Sequence, residues 1–452
     1  MRRFALMLLA GAPSLVAAQG FGVYEHNTCA MGRAGVTAAS PCADGSAIFF
    51  NPAGLGGLGG TRISTGVTLI GAQGGFTDDF LGHRTDLANP LIPVPNIYIT
   101  HAFSPALTAG IGVYAPYGLE TKWPTEGFDG RFLGYNTDVR SIYIQPTVGY
   151  QVSPKLKLGV GVAYITSRLK LKQRADFSQQ IVPSGAVPPG TRFAALGVPT
   201  GTDFADAALE ATGTGFAVNF GAVIKLSDRI SIGGHWLTRK KIDYDGTVDF
   251  TQIPTGLTLA AGNPLGLPAG TPVDAVVAAN FAPGAPLSDG GVRTSIYMPP
   301  QGTLGFAYRA TDAWTVMADY QYVVWGWFSE VVIDFTNPTT PDLALHPSNK
   351  DTHGFRVGTE YQYSPKIALR GGYIYHTGAS PQQFVTPLLP EGARNEFTIG
   401  AGIVLTQKLH ADLGYQYIKQ NDRRGTVNIA AGNTGLYQFS AHLFGIGLAY
   451  TF

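Results

Sequence analysis

From Thr61 to Phe452 the chain alternates apolar and polar residues in strand-length pieces, the period of a strand with two unlike faces. In 355–363, Phe355, Val357, Thr359, Tyr361 and Tyr363 share one face, opposite Arg356, Gly358, Glu360 and Gln362. In 314–322, Trp314, Val316, Ala318, Tyr320 and Tyr322 oppose Thr315, Met317, Asp319 and Gln321. In 409–417, Leu409, Ala411, Leu413, Tyr415 and Tyr417 oppose His410, Asp412, Gly414 and Gln416. One face is greasy with aromatics near its ends; the other is polar or small. A soluble β-sandwich alternates too, but charged residues are only 13% of this chain, too few to solvate so many outer faces. Lipid outside and a polar lumen inside fit better.

Short turns supply the strand count. SPAL (104–107), SPKL (153–156), SDRI (227–230), TDAW (311–314), SPKI (364–367) and TQKL (406–409) each present a polar, turn-prone cluster entering a new strand. Two alternating segments and a longer, variable connection lie between successive short turns. Six such turns separate seven hairpins, which predicts an all-β, antiparallel transmembrane barrel of about 14 strands over 59–452. That pattern belongs to the outer membrane of a Gram-negative bacterium, with both termini periplasmic. The last strand places Phe444, Ile446, Leu448, Tyr450 and Phe452 on one face against Gly445, Gly447, Ala449 and Thr451.

Met1 to Ala18 reads as a secretory signal: Arg2 and Arg3, an apolar core from Phe4 to Ala12, then Val16-Ala17-Ala18 as a small-residue cleavage site. After it no apolar run reaches the roughly 18 residues of a membrane helix. A formal net charge of +1 gives no reason to expect nucleic acid. Between signal and barrel, 19–58 is rich in Gly and Ala and lacks sustained alternation. About fourteen strands enclose more space than their own side chains fill, so 19–58 is expected to be a hatch that plugs the lumen. Cys29 and Cys42 both lie in it, and the oxidising compartment makes a disulfide reasonable. Gly54-x-Gly56-x-x-Gly59 matches a dinucleotide fingerprint, but no preceding strand and βαβ unit supports it; NPAGLGGLGG reads instead as a flexible link.

The chain resembles the FadL-type outer-membrane transporters of long-chain fatty acids and aromatic hydrocarbons. The resemblance is carried by Gly20-Phe21 followed by Glu25, Met31-Gly32-Arg33-Ala34-Gly35, Asn51-Pro52-Ala53, Val94-Pro95-Asn96, Tyr114-Ala115-Pro116-Tyr117-Gly118-Leu119 and Lys241-Ile242-Asp243-Tyr244. It implies a fourteen-stranded barrel with an N-terminal hatch. It also implies passive uptake of hydrophobic molecules: capture by apolar extracellular loops, a lumen site near the hatch N-terminus, and sideways exit at an inward-kinked third strand. Pro116 lacks an N–H and cannot complete a ladder, and Gly110, Gly112 and Gly118 are expected to loosen the same strand. Tyr114 and Tyr117 flank the proposed gate.

Two long connections, roughly 175–212 and 251–293, are unusually apolar. Thr271-Pro272-Val273-Asp274 looks like a helix start, after which Val273, Val276, Val277 and Phe281 form an apolar face. Phe204, Ala208 and Leu209 suggest another short helix, stopped at Gly213. These loops either catch a greasy ligand or pack on each other and close the barrel. Arg168, Lys170, Lys172 and Arg174 share one strand face; they meet a substrate carboxylate in the lumen or sit at the rim beside lipopolysaccharide. Asp319, Arg356, Glu360, Arg370, His410 and Asp412 are lumen candidates, read as anchors of the hatch rather than as a substrate site. Uptake of hydrophobic molecules is weighed against a barrel enzyme, for which no nucleophile–base set can be assembled, and against an adhesive barrel. No catalytic residue, cofactor or metal site is expected. The partners expected are hydrophobic small molecules and outer-membrane lipid, and the chain is expected to be a monomer.

Overall fold

The computed structural model describes residues 22–182, 187–328, 331–340, 342–345, 349–426 and 432–452. The signal reading of Met1 to Ala18, Gln19, and the Gly20 and Phe21 of the N-terminal motif lie outside the described residues. Two short helices come first, α1 (Thr28–Gly32) and α2 (Ala47–Phe50). One antiparallel sheet of fourteen spans then closes on itself.

The spans are β1 (Thr61–Asp78), β2 (Ile92–Ala102), β3 (Leu107–Lys122), β4 (Asn136–Ser153), β5 (Leu156–Ala175) and β6 (Ala205–Lys225). Two broken spans follow: β7 (Ile230–Leu237 and Lys240–Gln252) and β8 (Gly290–Met298 and Gln301–Arg309). After them come β9 (Trp314–Val323, resuming at Val331–Phe335), β10 (Thr352–Ser364) and β11 (Ile367–His376). Then β12 (Arg394–Val404), β13 (Leu409–Gln420) and β14 (Gly435–Thr451) complete the wall. Arg62↔Thr451 through Asp78↔Gly435 join β1 to β14, so the sheet has no free edge at its seam.

Alternation explains the wall. Phe355, Val357 and Tyr361 on β10 are exposed on the outer surface, whereas Arg356 and Gly358 are buried inside. Phe444, Ile446, Leu448 and Tyr450 of β14 face outward in the same way. The short turns keep their shape because one hydroxyl accepts two backbone N–H groups: Ser104 Oγ from Ala106 and Leu107, Ser227 Oγ from Arg229 and Ile230, Thr406 Oγ1 from Lys408 and Leu409.

Residues 22–58 fill the interior. Almost all are buried, and Cys29 and Cys42 are joined by a disulfide. The barrel meets this segment with glycine. A Cβ on Gly159 would lie under 3.0 Å from Pro52, on Gly233 from Ala38, on Gly358 from Arg33, and on Gly414 or Gly445 from Met31. The small inner face of so many strands is therefore where backbone packs on backbone. Asn51 ties the two layers. Its side chain accepts from the Ala53 N–H at 3.1 Å and donates to the carbonyls of Ala38 (2.7 Å) and Ala222 (3.0 Å). Pro52–Leu55 is a buried 3-10 turn, so this stretch is docked against the wall rather than a flexible link. Asn51 and the proline start the turn, and missing side chains let it seat.

The apolar connections need correcting. Phe204 ends a loop, and Ala208 and Leu209 lie within β6, paired with Lys172 and Leu171 of β5, not in a helix. Small residues at 205–211 hid the alternation that the β5 ladder enforces. The helix at 271 does form, as α3 (Val273–Val277), but Pro272 holds the cap position and Thr271 donates to the Pro268 carbonyl instead. Phe204, Val273 and Val277 are buried with Phe177, Phe193 and Leu287 in one cluster shared by both loops, with Val276 and Phe281 at its edge. The two loops thus bury their apolar side chains against each other. Leu209 faces the main interior.

Candidate functional site: a window between the second and third strands

β2 and β3 are paired only from Ala102↔Thr108 to Ile97↔Val113. Beyond Val113 the strands part. Ile92 to Asn96 continue to pair with β1, while Tyr114 to Lys122 pair, among the barrel spans, with β4 alone, across an irregularity between Tyr114 and Tyr117 that contains Ala115 and Pro116. At the far end Asn89 closes the space: its side chain donates to the Glu120 carbonyl at 2.6 Å and accepts from the Lys122 N–H at 2.7 Å. What remains is a hole in the sheet. Its lips carry Pro93 and Pro95 on one side and Pro116 on the other, residues with no backbone donor to leave unpaired.

A cavity of about 640 Å³ occupies this hole. Ile92, Pro93, Val94, Val113, Tyr114 and Leu119 line its two sides, and Gly22, Val23 and Glu25 form its inner end. The N-terminal segment crosses it. Gly22 pairs with Tyr117, and the Val23 N–H donates to the Pro116 carbonyl at 2.8 Å. Gly110 and Gly112 lie in the part of β3 still paired with β2, so they do not open the strand. A Cβ on Gly110 would meet the Ile99 carbonyl at 2.6 Å, and one on Gly112 would meet the Tyr98 ring at 2.8 Å and Ile48 at 3.0 Å. Both glycines make room for Ile48 of α2, Gly110 also for β2 at Ile99 and Thr100 and Gly112 for the Tyr98 ring. Gly118 sits on the free part of the strand.

The inner end is aromatic. The His26 ring stacks on Phe50 and Tyr114 and meets Phe49 edge-on; Tyr98 and Tyr143 extend the cluster. Lys240 is the cation sequence reading passed over. It begins the second half of β7, where both β7 and β8 are broken, and shares the inward face with Ile242 and Tyr244. Its ammonium is 1% exposed as a residue and donates to Tyr117 Oη (2.8 Å) and the Pro299 carbonyl (2.7 Å). Among the described residues no carboxylate forms an ion pair with it. Strand parity could have found it: Lys241, in the K-I-D-Y motif, faces out.

The remaining candidates divide cleanly. Asp319 accepts the N–H groups of Thr37 (3.0 Å) and Ala38 (3.2 Å). Arg356 lies over the Tyr24 ring and donates to Gln321. Arg370 bridges Glu360 and Asp412, and Arg33 of the N-terminal segment reaches Glu360 at 3.8 Å. These groups face the segment; no ion pair among the described residues includes His410. Glu25 accepts from Gln416 at 3.0 Å, and the same amide donates to Glu396. Arg168, Lys170, Lys172 and Arg174 lie on the outer face of β5, continuing Val160, Val162 and Tyr164, while Ser167, Leu169 and Gln173 face in. Arg168 and Lys170 pair with Glu210 of β6, and Arg174 with Asp206. A lumen role for these four is therefore excluded by the strand's own parity.

A closed fourteen-stranded barrel filled by its own N-terminal segment defines a plugged outer-membrane barrel. The chain belongs to the outer membrane protein transport protein family (OMPP1/FadL/TodX), whose pattern matches residues 9–452. Outer membrane protein P1 of Haemophilus influenzae is 24% identical, covering 100% of both chains. The long-chain fatty acid transport protein of Shigella flexneri is 24% identical over 99% of each. Among solved structures, a Pseudomonas aeruginosa FadL homologue superposes with a TM-score of 0.78 at 17% identity, covering 96% of this chain and 100% of that one. The P. putida toluene transporter TodX gives 0.69 at 19% identity, covering 96% and 99%. The family makes this an outer-membrane transporter of hydrophobic molecules.

Proposed function

We propose that the chain takes up long-chain fatty acids passively, with the β2–β3 window as a lateral exit into the bilayer. The observation that carries this is the interrupted ladder: an apolar cavity opens through the wall while residues 22–58 block the axis. A substrate that leaves sideways never has to unseat the plug. Lys240 favours a carboxylate head group, because a buried ammonium satisfied only by neutral oxygens gains from an anion. In this reading residues 19–58 are the hatch, both termini are periplasmic, and the long loops face the exterior. There Val276 and Phe281, at the edge of the loop cluster, make first contact with the substrate, and Arg168, Lys170, Lys172 and Arg174 border lipopolysaccharide. Uptake of aromatic hydrocarbons by the same route is the second reading. It is favoured by the rings of His26, Phe49, Phe50, Tyr98 and Tyr114 beside the cavity.

Uptake of radiolabelled oleate and of toluene by cells lacking their own transporter tests both. Saturable oleate uptake supports the first reading; saturable toluene uptake alone supports the second. Uptake of neither by correctly inserted barrel rejects both.

A further inference from the structure

The loop between β11 and β12 leans over the window. Trp123 Nε1 donates to the Pro387 carbonyl at 2.8 Å, and Thr121 Oγ1 to that of Leu388 at 3.1 Å, which pins the loop to the free part of β3. The same loop sends Leu389, Pro390 and Glu391 into the cavity wall. Glu391 is 4% exposed, and its carboxyl oxygens have no side-chain hydrogen-bond partner, only the backbone N–H groups of Ala379 and Ser380 nearby.

The other charged groups facing the cavity are engaged. Glu25, from the N-terminal segment, takes the Tyr24 N–H at 2.8 Å and the Gln416 amide. Asp138 and Glu120 share Arg140, at 2.8 and 3.3 Å. Arg394 holds Glu396 at 2.7 Å, and Arg423, packed behind the loop, donates to the Ser380 carbonyl at 2.7 Å. Glu391 is left beside two arginines committed elsewhere. Burial pushes its carboxyl up to about 7 against the pull of both arginines and of the Ala379 and Ser380 N–H groups.

A fatty acid crossing this window moves its head group from a polar lumen toward hydrocarbon. An ionised carboxylate resists that transfer far more than a neutral acid. We propose that Glu391 is the proton donor that neutralises a carboxylate substrate as it enters the window, an assignment that rests on the fatty-acid reading. The Glu391 O–H bond breaks, the proton bonds to a substrate carboxylate oxygen, and the negative charge passes to Glu391 beside Arg394 and Arg423. Water on the lumen side of the window then reprotonates Glu391 and leaves hydroxide in the solvent. The substrate leaves neutral, and net charge is conserved at each step.

The test compares initial uptake of radiolabelled oleate and oleyl alcohol, which has the same tail without the acid, in wild type, Glu391→Gln and Glu391→Asp. Glutamine keeps the size and a hydrogen-bond donor but has no acidic proton. Wild-type oleate uptake should fall between about pH 6 and about pH 8 as the donor ionises. Glu391→Gln should be roughly ten-fold slower with oleate and flat with pH, Glu391→Asp should recover part of both, and the alcohol should enter all three alike. Wild-type oleate uptake and pH profile in Glu391→Gln would overturn the proposal, as would equal loss of acid and alcohol, which marks a merely structural side chain. No oleate uptake by correctly inserted wild type would overturn the fatty-acid reading and this assignment with it.

Discussion

The Val23 N–H donates to the Pro116 carbonyl at 2.8 Å, so the plug's own backbone takes the place that β2 vacates beside β3. With Gly22, which pairs with Tyr117, Val23 closes the hole from inside. Val23→Pro removes that donor, at a cost of about 1 kcal/mol for the lost bond. Residues 22–27 should then become more sensitive to protease and oleate should enter faster. Unchanged cleavage and uptake would show that Val23 is not a closure.

Lys240 separates the two substrate readings. Lys240→Met keeps the bulk and removes the charge. A charge-assisted bond to a carboxylate contributes about 1.5–3 kcal/mol, so half-saturation by oleate should rise about ten-fold or more. Toluene uptake should be unaffected, and Lys240→Arg should retain most oleate affinity. Equal effects on both compounds would make Lys240 a structural group that holds Tyr117.

The glycine wall makes a prediction about leakage. Gly233→Val forces a side chain into Ala38, and overpacking of this kind costs about 1–3 kcal/mol. The barrel should still insert and migrate as folded, yet admit small hydrophilic antibiotics. Gly371→Ala is the control, since its Cβ would have the Thr398 carbonyl as nearest neighbour at a comfortable 3.7 Å. A tight barrel with Gly233→Val would mean the plug yields instead.

The loop over the window should loosen as pH rises from acid to neutral. Glu391 is held near 7 in the fold, above its ordinary carboxylate value. A raised folded value contributes stability fully below the unfolded value and loses it as pH rises through 7. Hydrogen-exchange protection in 377–393 should therefore fall between about pH 4.5 and about pH 7, and Glu391→Gln should abolish the change. Pinning by Trp123 and Thr121 should keep the rest of the barrel unaffected.

Much of the fold was legible because a strand's period is two and only two faces exist. Phe355, Val357 and Tyr361 declared the outer surface, and the Ser or Thr of each short turn declared where hairpins reverse. The window was half legible. Pro116 marked one lip, but Pro93 and Pro95 on the other show their meaning only once the register between β2 and β3 is known. Gly110 and Gly112 misled because a glycine required by a neighbour, here Ile48 for both, with Thr100 beside Gly110 and Tyr98 beside Gly112, looks in sequence like one that frees a strand. Arg168 and its three companions were a face without a side until parity with Val162 and Tyr164 was fixed. Lys240 was missed for the same reason: Lys241 next to it drew attention, and only the ladder says which of the two looks inward. Phe204 to Leu209 lost its alternation among alanines, so long-range pairing, which no local pattern carries, decided its state.

The plug is joined to β1 by a few residues, and β1 is one side of the seam that β14 closes. With glycine against backbone all around it, the plug has no passage by which to enter a finished cylinder. It must already be seated on the growing sheet when the last strand arrives. The geometry thereby sets an order of assembly: the segment before β1 serves as a mould, the strands gather around it, and the pairing of β14 with β1 locks it in.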